Sequence, residues 1–310
     1  MNQPFPNTAP GAPADNGPRV RTWLAEPTPS RLRLPAGACD SHVHVIGPLE
    51  RFPVGPQHNA LPEDATAQDL FALHRRYGIE RCVIVQSAVH GRDNRVTEDA
   101  IRAAQGRYLG VGLVAPDVAD AELARLAAAG MRGVRFSFMR HLAAGAPPAE
   151  VVALTPRLAA HGMHLQVHFE ADLVHELGAV FARSAVPVVI DHMGRVDARL
   201  GPEHAHFQGL VKLLGNPLFR VKVSGIDRVD AHAAQLPPAE RYARGVVLAR
   251  LLVERFPERC VWGSDWPHPN HTHVPDDGVL FDALEAIMPD RRHLEQVLVH
   301  NPQALYRFPV

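Results

Sequence analysis

Eight short Val-, Ile- and Leu-rich runs alternate with helical stretches along a chain of 310 residues, and polar residues, histidine above all, stand at the ends of several runs. Strands that are apolar throughout are buried on both faces, the habit of parallel sheets covered by helices. These two observations predict an α/β fold, a (β/α)8 TIM barrel over residues 36–310, with its polar strand ends facing one pocket. A doubly wound open sheet is the alternative. No Gly-x-Gly-x-x-Gly or phosphate loop follows the first strand, which disfavours nucleotide binding.

The elements follow in order. Residues 1–35 are rich in Pro, Ala and Asn, lack periodicity and read as a disordered tail that becomes an ordered lead-in near Trp23. The first strand covers 38–45, and Gly47-Pro48 breaks it. A proline-rich loop over 47–64 follows, and loops of that length are usually functional. The remaining strands are expected at 82–86, 109–114, 133–137, 164–169, 187–192, 219–224 and 260–265. Helices are expected at 67–77, 97–105, 119–129, 150–161, 171–184, 202–214 and 239–256, with 279–287 and 294–300 closing the chain. Gly78, Gly130 and Gly162 mark helix ends.

Composition excludes several classes. A formal net charge of −1 with no basic stripe argues against nucleic acid. No apolar run is long enough for a bilayer, and the N-terminus lacks the charged start and apolar stretch of a signal peptide. Cys39, Cys82 and Cys260 are odd in number, scattered and set in apolar runs, which suggests reduced thiols and a cytoplasmic protein. A homo-oligomer is left open.

The stretch Cys39-Asp-Ser-His-Val-His44 is the centre of the argument. Alternate strand residues face one way, so His42 and His44 project together, a pairing that suits a divalent metal or a polar catalytic pocket. An isolated His-x-His is more often two satisfied core histidines. Here Arg135 ends strand four, His168 strand five, His192 strand six and Asp265 strand eight, and a barrel brings such ends together. By the same alternation Asp191, next to His192, is expected to point away. His90-Gly-Arg-Asp-Asn94 could line the pocket or be an ordinary turn. His268, Asn270, His271 and His273 read as a surface cluster at the mouth, and Trp262 and Trp266 as core.

Several stretches resemble the amidohydrolase superfamily, and within it the branch of the pyrone dicarboxylate lactonases. They are the 39–44 segment, Gly130-Met-Arg-Gly-Val-Arg135, Phe169-Glu-Ala-Asp172, Ile190-Asp-His-Met-Gly-Arg195, Trp262-Gly-Ser-Asp-Trp-Pro-His-Pro-Asn270 and Asn301-Pro-Gln-Ala-Leu-Tyr306. The resemblance covers nearly the whole ordered chain and implies a (β/α)8 barrel. It implies Asp265 as the base that activates water, with His192 beside the water or substrate, and His42 and His44 as the first-strand pair. It further implies a carboxylate-binding role for Arg135 and Arg228, with His141, or neighbouring Arg140, as a third basic contact. Ala60 and Ala88 stand where the branch has a tyrosine and a serine, so the ring and its second acidic group differ or are held differently. The pyrone lactonases work without a metal and carry a tyrosine at the position of His168. Metal-binding members of the superfamily have a histidine there. One divalent metal, zinc or manganese, held by His42, His44, His168 and Asp265 is therefore one expectation, and a metal-free pocket in which His168 replaces the tyrosine is the other.

The expected activity is hydrolysis of an anionic lactone from aromatic-compound breakdown, a muconolactone (with or without a sulfonate) or 2-pyrone-4,6-dicarboxylate. A metal-dependent non-oxidative decarboxylase and a barrel that binds acidic aromatics without turnover are the rivals.

Overall fold

The computed structural model describes residues 19–55, 62–140, 146–230, 232–237, 240–271 and 273–309. Eight strands form one sheet in sequence order: β1 Cys39–Val43, β2 Arg81–Val85, β3 Tyr108–Leu113, β4 Met131–Phe138, β5 His164–Phe169, β6 Val188–Ile190, β7 Phe219–Lys222 and β8 Cys260–Val261. Every neighbouring pair is parallel. The ring closes where Ser41 N donates to Trp262 O at 2.8 Å and His44 N to Trp266 O at 2.7 Å. The chain is thus the expected (β/α)8 barrel.

The connecting helices are α1 Ala67–Tyr77, α2 Arg95–Ala103, α3 Asp120–Ala128, α4 Pro148–Ala160, α5 Val174–Phe181, α6 Ala205–Leu214, α7 Ala243–Arg255 and α8 Asp277–Ile287. Two short ones, α9 Arg291–Glu295 and α10 Asn301–Tyr306, follow across one π-turn. Local signals explain their ends. Thr66 and Asp69 form a reciprocal capping box on α1, and Gly78 ends it in the left-handed conformation. The helix expected at 171–184 instead begins as a 3₁₀ turn, Ala171–Leu173, and continues as α5.

Two apolar layers hold the barrel. Leu70, Leu123, Leu126, Leu158, Leu210 and Leu252 press their helices onto the outer faces of the strands. Inside, Cys39, Val83, Val85, Leu109 and Val111 pack with Tyr306 and Phe308 from the end of the chain. All three cysteines are free and buried. Trp262 and Trp266 belong to the core.

Strands β6 and β8 are shorter than expected, because the chain leaves the sheet to aim side chains. After β6, His192, Met193, Gly194 and Arg195 have φ of 46°, 52°, 61° and 55°, four consecutive left-handed residues of which only one is glycine. After β8, Asp265 has φ of 65°. Such backbone costs about 1–2 kcal/mol per non-glycine residue and marks functional turns.

Residues 19–35, placed in the tail by composition, lie against the barrel. Trp23 meets Trp266 edge-on with ring centroids 5.3 Å apart, and Thr22 Oγ1 donates to Pro267 O. Thr28 N and Oγ1 donate to Asp276 at 2.9 and 2.5 Å, and Ser30 Oγ to Asp282 at 2.6 Å. A polar, proline-rich strap can be ordered without periodicity when folded partners supply its hydrogen bonds.

Candidate active site

A register shift in β1 between Asp40 and Val43 places the imidazoles of His42 and His44 in the barrel interior. The left-handed turn after β6 delivers His192, and the turn after β8 delivers Asp265. Asp265 N donates to His42 O at 2.8 Å, which ties the two segments directly. Gly263 permits this approach, since a Cβ there would sit 2.6 Å from His42 Cβ.

Asp265 is the focus. Its Oδ1 lies 3.6 Å from His42 Nε2, 3.4 Å from His44 Nε2 and 3.7 Å from His192 Nε2. Its Oδ2 accepts from Arg228 Nε. Burial alone would raise its pKa, but Arg228 and the histidines outweigh burial and hold the carboxyl well below the usual range. Burial pushes His42 down to about 3, aided by the Lys222 charge, and drives His168 and His192 well below the ordinary imidazole value. An ionised Asp265 carboxylate beside the neutral imidazoles of His42 and His192 is thus already assembled.

Below this layer sits a second one, which strand reading missed. Asp191 is fully buried and points inward, contrary to the alternation argument. The inward parity of β6 belongs to Val189 and Asp191, and His192 reaches the site only because the backbone turns after it. Asp191 Oδ2 takes Arg135 Nε at 2.8 Å and Gln166 Nε2 at 3.1 Å, and Oδ1 lies 3.3 Å from His42 Nδ1 and 3.5 Å from Lys222 Nζ. Lys222 has no exposed surface, and burial lowers its pKa to about 8 against the opposing pull of Asp191. It is one of only two lysines in the chain, set in the apolar run Phe219–Val223, and that position was the signal available.

The cavity at the carboxyl ends of the strands is lined by His44, Arg135, His168, His192, Arg195, Arg228 and Asp265. A larger cavity of about 320 Å³ lies at the opposite, amino-terminal end, beside His164 and Arg220, away from this chemistry. Arg135 and Arg228 are both engaged with aspartates, so each offers a ligand only its remaining N–H groups. The side chain of Arg195, three residues after His192, makes no hydrogen bond or close ion pair among the described residues, and Asp265, Glu170 and Asp227 act on it only at longer range. Burial and the Arg228 charge lower its pKa. Arg140 is exposed and pairs with Asp172 outside the cavity lining. His141 and Ala60 lie outside the described residues.

One further expectation changes, and His90 finds its place. His268 is buried, not on the surface, with Nε2 3.1 Å from Asp277 Oδ1, and His271 Nε2 is 2.5 Å from Asp227 Oδ2. His90 clips the loop over 47–55: Gly47 N donates to its Nε2 at 3.1 Å and its Nδ1 reaches Pro53 O at 3.0 Å.

For a metal, His42, His44 and Asp265 offer ligand atoms within 4.8 Å of one another, as do His42, Asp191 and His192. His168 belongs to neither group. Its Nδ1 receives Arg135 Nη2 at 3.0 Å. Distance alone fits a cation, but the charges around it do not. Arg135, Arg195, Arg228 and Lys222 already crowd the space beside Asp191 and Asp265, and a divalent ion would add to that positive charge.

A barrel with histidines from β1 and after β6, and an aspartate after β8, is the architecture of an amidohydrolase. The chain belongs to the amidohydrolase family, matched over residues 39–308. It is 40% identical over 288 residues to the 2-pyrone-4,6-dicarboxylate hydrolase of Comamonas testosteroni, covering 92% of this chain and 94% of that one. It is 34% identical over 285 residues to the 4-sulfomuconolactone hydrolase of Hydrogenophaga intermedia, covering 90% and 91%. A solved structure described as a putative 2-pyrone-4,6-dicarboxylic acid hydrolase from Pseudomonas putida superposes with a TM-score of 0.77 at 31% identity, covering 89% of this chain and all of that one. The expected lactone-opening class agrees with these names. No helix among the described residues is long and apolar enough to cross a membrane.

Proposed function

We propose that this protein hydrolyses the ring ester of a dianionic lactone of the 2-pyrone-4,6-dicarboxylate or 4-sulfomuconolactone kind. The observation that carries this reading is the ionised Asp265 ringed by three imidazole Nε2 atoms, beside the guanidinium groups of Arg135, Arg195 and Arg228. An acidic lactone brings negative charge to those cations, and guanidinium groups suit carboxylate and sulfonate oxygens.

In the proposed reaction Asp265 Oδ1 takes a proton from a water held beside His44 and His192, and the water oxygen attacks the lactone carbonyl. The carbonyl oxygen gains negative charge, which imidazole N–H groups stabilise. The ring C–O bond then breaks, and the departing oxygen takes the proton from Asp265. Arg195 holds one acidic substituent, and the remaining N–H groups of Arg135 and Arg228 orient the other.

The test incubates the purified protein with each of the two lactones and follows ring opening by acid release. Turnover of at least one is expected, with Asp265→Asn slower by about 10²–10⁴-fold, the usual contribution of a general base. No turnover of either lactone, with carbon dioxide released from a hydroxybenzoate, would overturn the reading in favour of a decarboxylase.

A further inference from the structure

The second layer beneath the site decides where the histidine protons are. Lys222 Nζ lies 2.8 Å from Gln166 Oε1, 3.1 Å from His42 Nδ1 and 3.5 Å from Asp191 Oδ1. Gln166 is oriented by its own donation from Nε2 to Asp191, so its oxygen faces the lysine. An ammonium has three N–H groups and no acceptor, and a fully buried one must place them all. Gln166 Oε1 and His42 Nδ1 are the two at hydrogen-bond distance, the second only if His42 Nδ1 accepts, and Asp191 Oδ1 supplies the ion pair. A proton on Nδ1 would press N–H against N–H and leave Lys222 one acceptor short. The proton of His42 therefore sits on Nε2.

The same logic holds on the other side of the cavity. Arg135 is fixed by Asp191 through Nε and gives Nη2 to His168 Nδ1 at 3.0 Å. A guanidinium only donates, so the His168 proton also sits on Nε2. The Nε2 atoms of His42 and His168 are both buried without a partner. Their rings flank His192, with centroids 4.5 and 5.4 Å from it. His44 is set the opposite way: the Val85 carbonyl 2.7 Å from its Nδ1 can only accept, so in its neutral form the lone pair lies on Nε2, beside Asp265.

We infer that Lys222 and Arg135 are positioning residues that hold His42 and His168 as Nε2–H donors toward the substrate oxygen that gains charge, leaving His44 Nε2 as the acceptor that orients water. The inference rests on the hydrolase reading for its consequence, but the tautomers themselves do not. It also disagrees with a four-ligand cation site, because a ligand nitrogen must present a lone pair, and His42 and His168 could do so only by moving a proton to face a cationic side chain.

Long-range proton–nitrogen NMR of the full chain labelled in histidine, with no substrate added, reads each ring directly. His42 and His168 are expected to carry the proton on Nε2 and His44 on Nδ1, assigned by single His→Gln variants. In Lys222→Met the His42 proton moves to Nδ1, where Asp191 accepts it. The freed Nε2 then raises zinc affinity in calorimetry by about 10–100-fold. On a lactone substrate, kcat falls more than KM rises. A wild-type His42 protonated on Nδ1, or equal zinc affinity in wild type and variant, overturns the proposal. The wild-type spectrum decides the matter even if Lys222→Met does not fold. Because it needs no substrate, an inactive lactone assay with the expected tautomers would sink only the hydrolase reading.

Discussion

Replacing His164 by glutamine should weaken the protein at neutral pH yet make it less sensitive to acid. His164 starts β5 beneath the site, donates from Nδ1 to Arg132 O at 2.7 Å and leaves Nε2 buried without a partner. Burial, aided by the Lys222 charge, lowers its pKa to about 3. The unfolded chain holds the same group near its ordinary value of about 6.5. Between those values the unfolded state binds the extra proton, so the stability contributed is complete above about pH 6.5 and is lost as pH falls toward 3. At about pH 5 the loss from this one residue is about 2 kcal/mol. His42, also lowered to about 3, adds to the same slope, whereas His268, which Asp277 raises against the effect of burial, works in the opposite direction. Glutamine keeps a donor for Arg132 O but does not titrate. Urea unfolding at neutral pH and at about pH 5 should therefore show the gap between wild type and His164→Gln shrinking by about 2 kcal/mol on acidification. A gap that stays constant would mean that His164 is not buried neutral, and the reasoning about the lower layer would fall with it.

Arg195→Met removes the cavity-lining guanidinium that, among the described residues, is hydrogen-bonded to no protein side chain. A hydrogen bond to a charged group is worth about 1.5–3 kcal/mol, so steady-state kinetics should show KM raised by roughly 10–100-fold with kcat little changed. Gly263→Ala puts a methyl 2.6 Å from His42 Cβ in a place where neither backbone can move freely, and thermal unfolding should register a loss of about 1–3 kcal/mol, with activity falling as the Asp265 turn is displaced.

The barrel was legible because its signal is repetitive: eight apolar runs, each followed by a helix, leave little choice of topology. His42, His44 and Asp265 were legible because they sit at strand ends, where a barrel converges. What escaped has specific causes. Asp191 was assigned outward because His192 was assumed to obey strand alternation, whereas the left-handed turn delivers His192 and alternation delivers Asp191. Lys222 looked like part of a buried strand, which it is, and its charge is satisfied only by residues from β1, β5 and the end of β6 that no local pattern connects. His268 was placed on the surface for want of Asp277, which lies nine residues on at the start of α8. The strap over 19–35 has no periodicity to detect, since its order comes from partners on α8 and after β8.

That strap also bears on how the molecule is made. Thr22 bonds to a residue 245 positions later, and Trp23 packs on Trp266. On a ribosome adding about 5–20 residues per second, this segment waits roughly 10–50 s before its resting place is synthesised. Throughout that interval the indole of Trp23 has no native partner, and the turn bearing Asp265 is among the last parts to emerge. The strap and the turn bearing Asp265 can therefore steady one another only after the last strand of the barrel has been made.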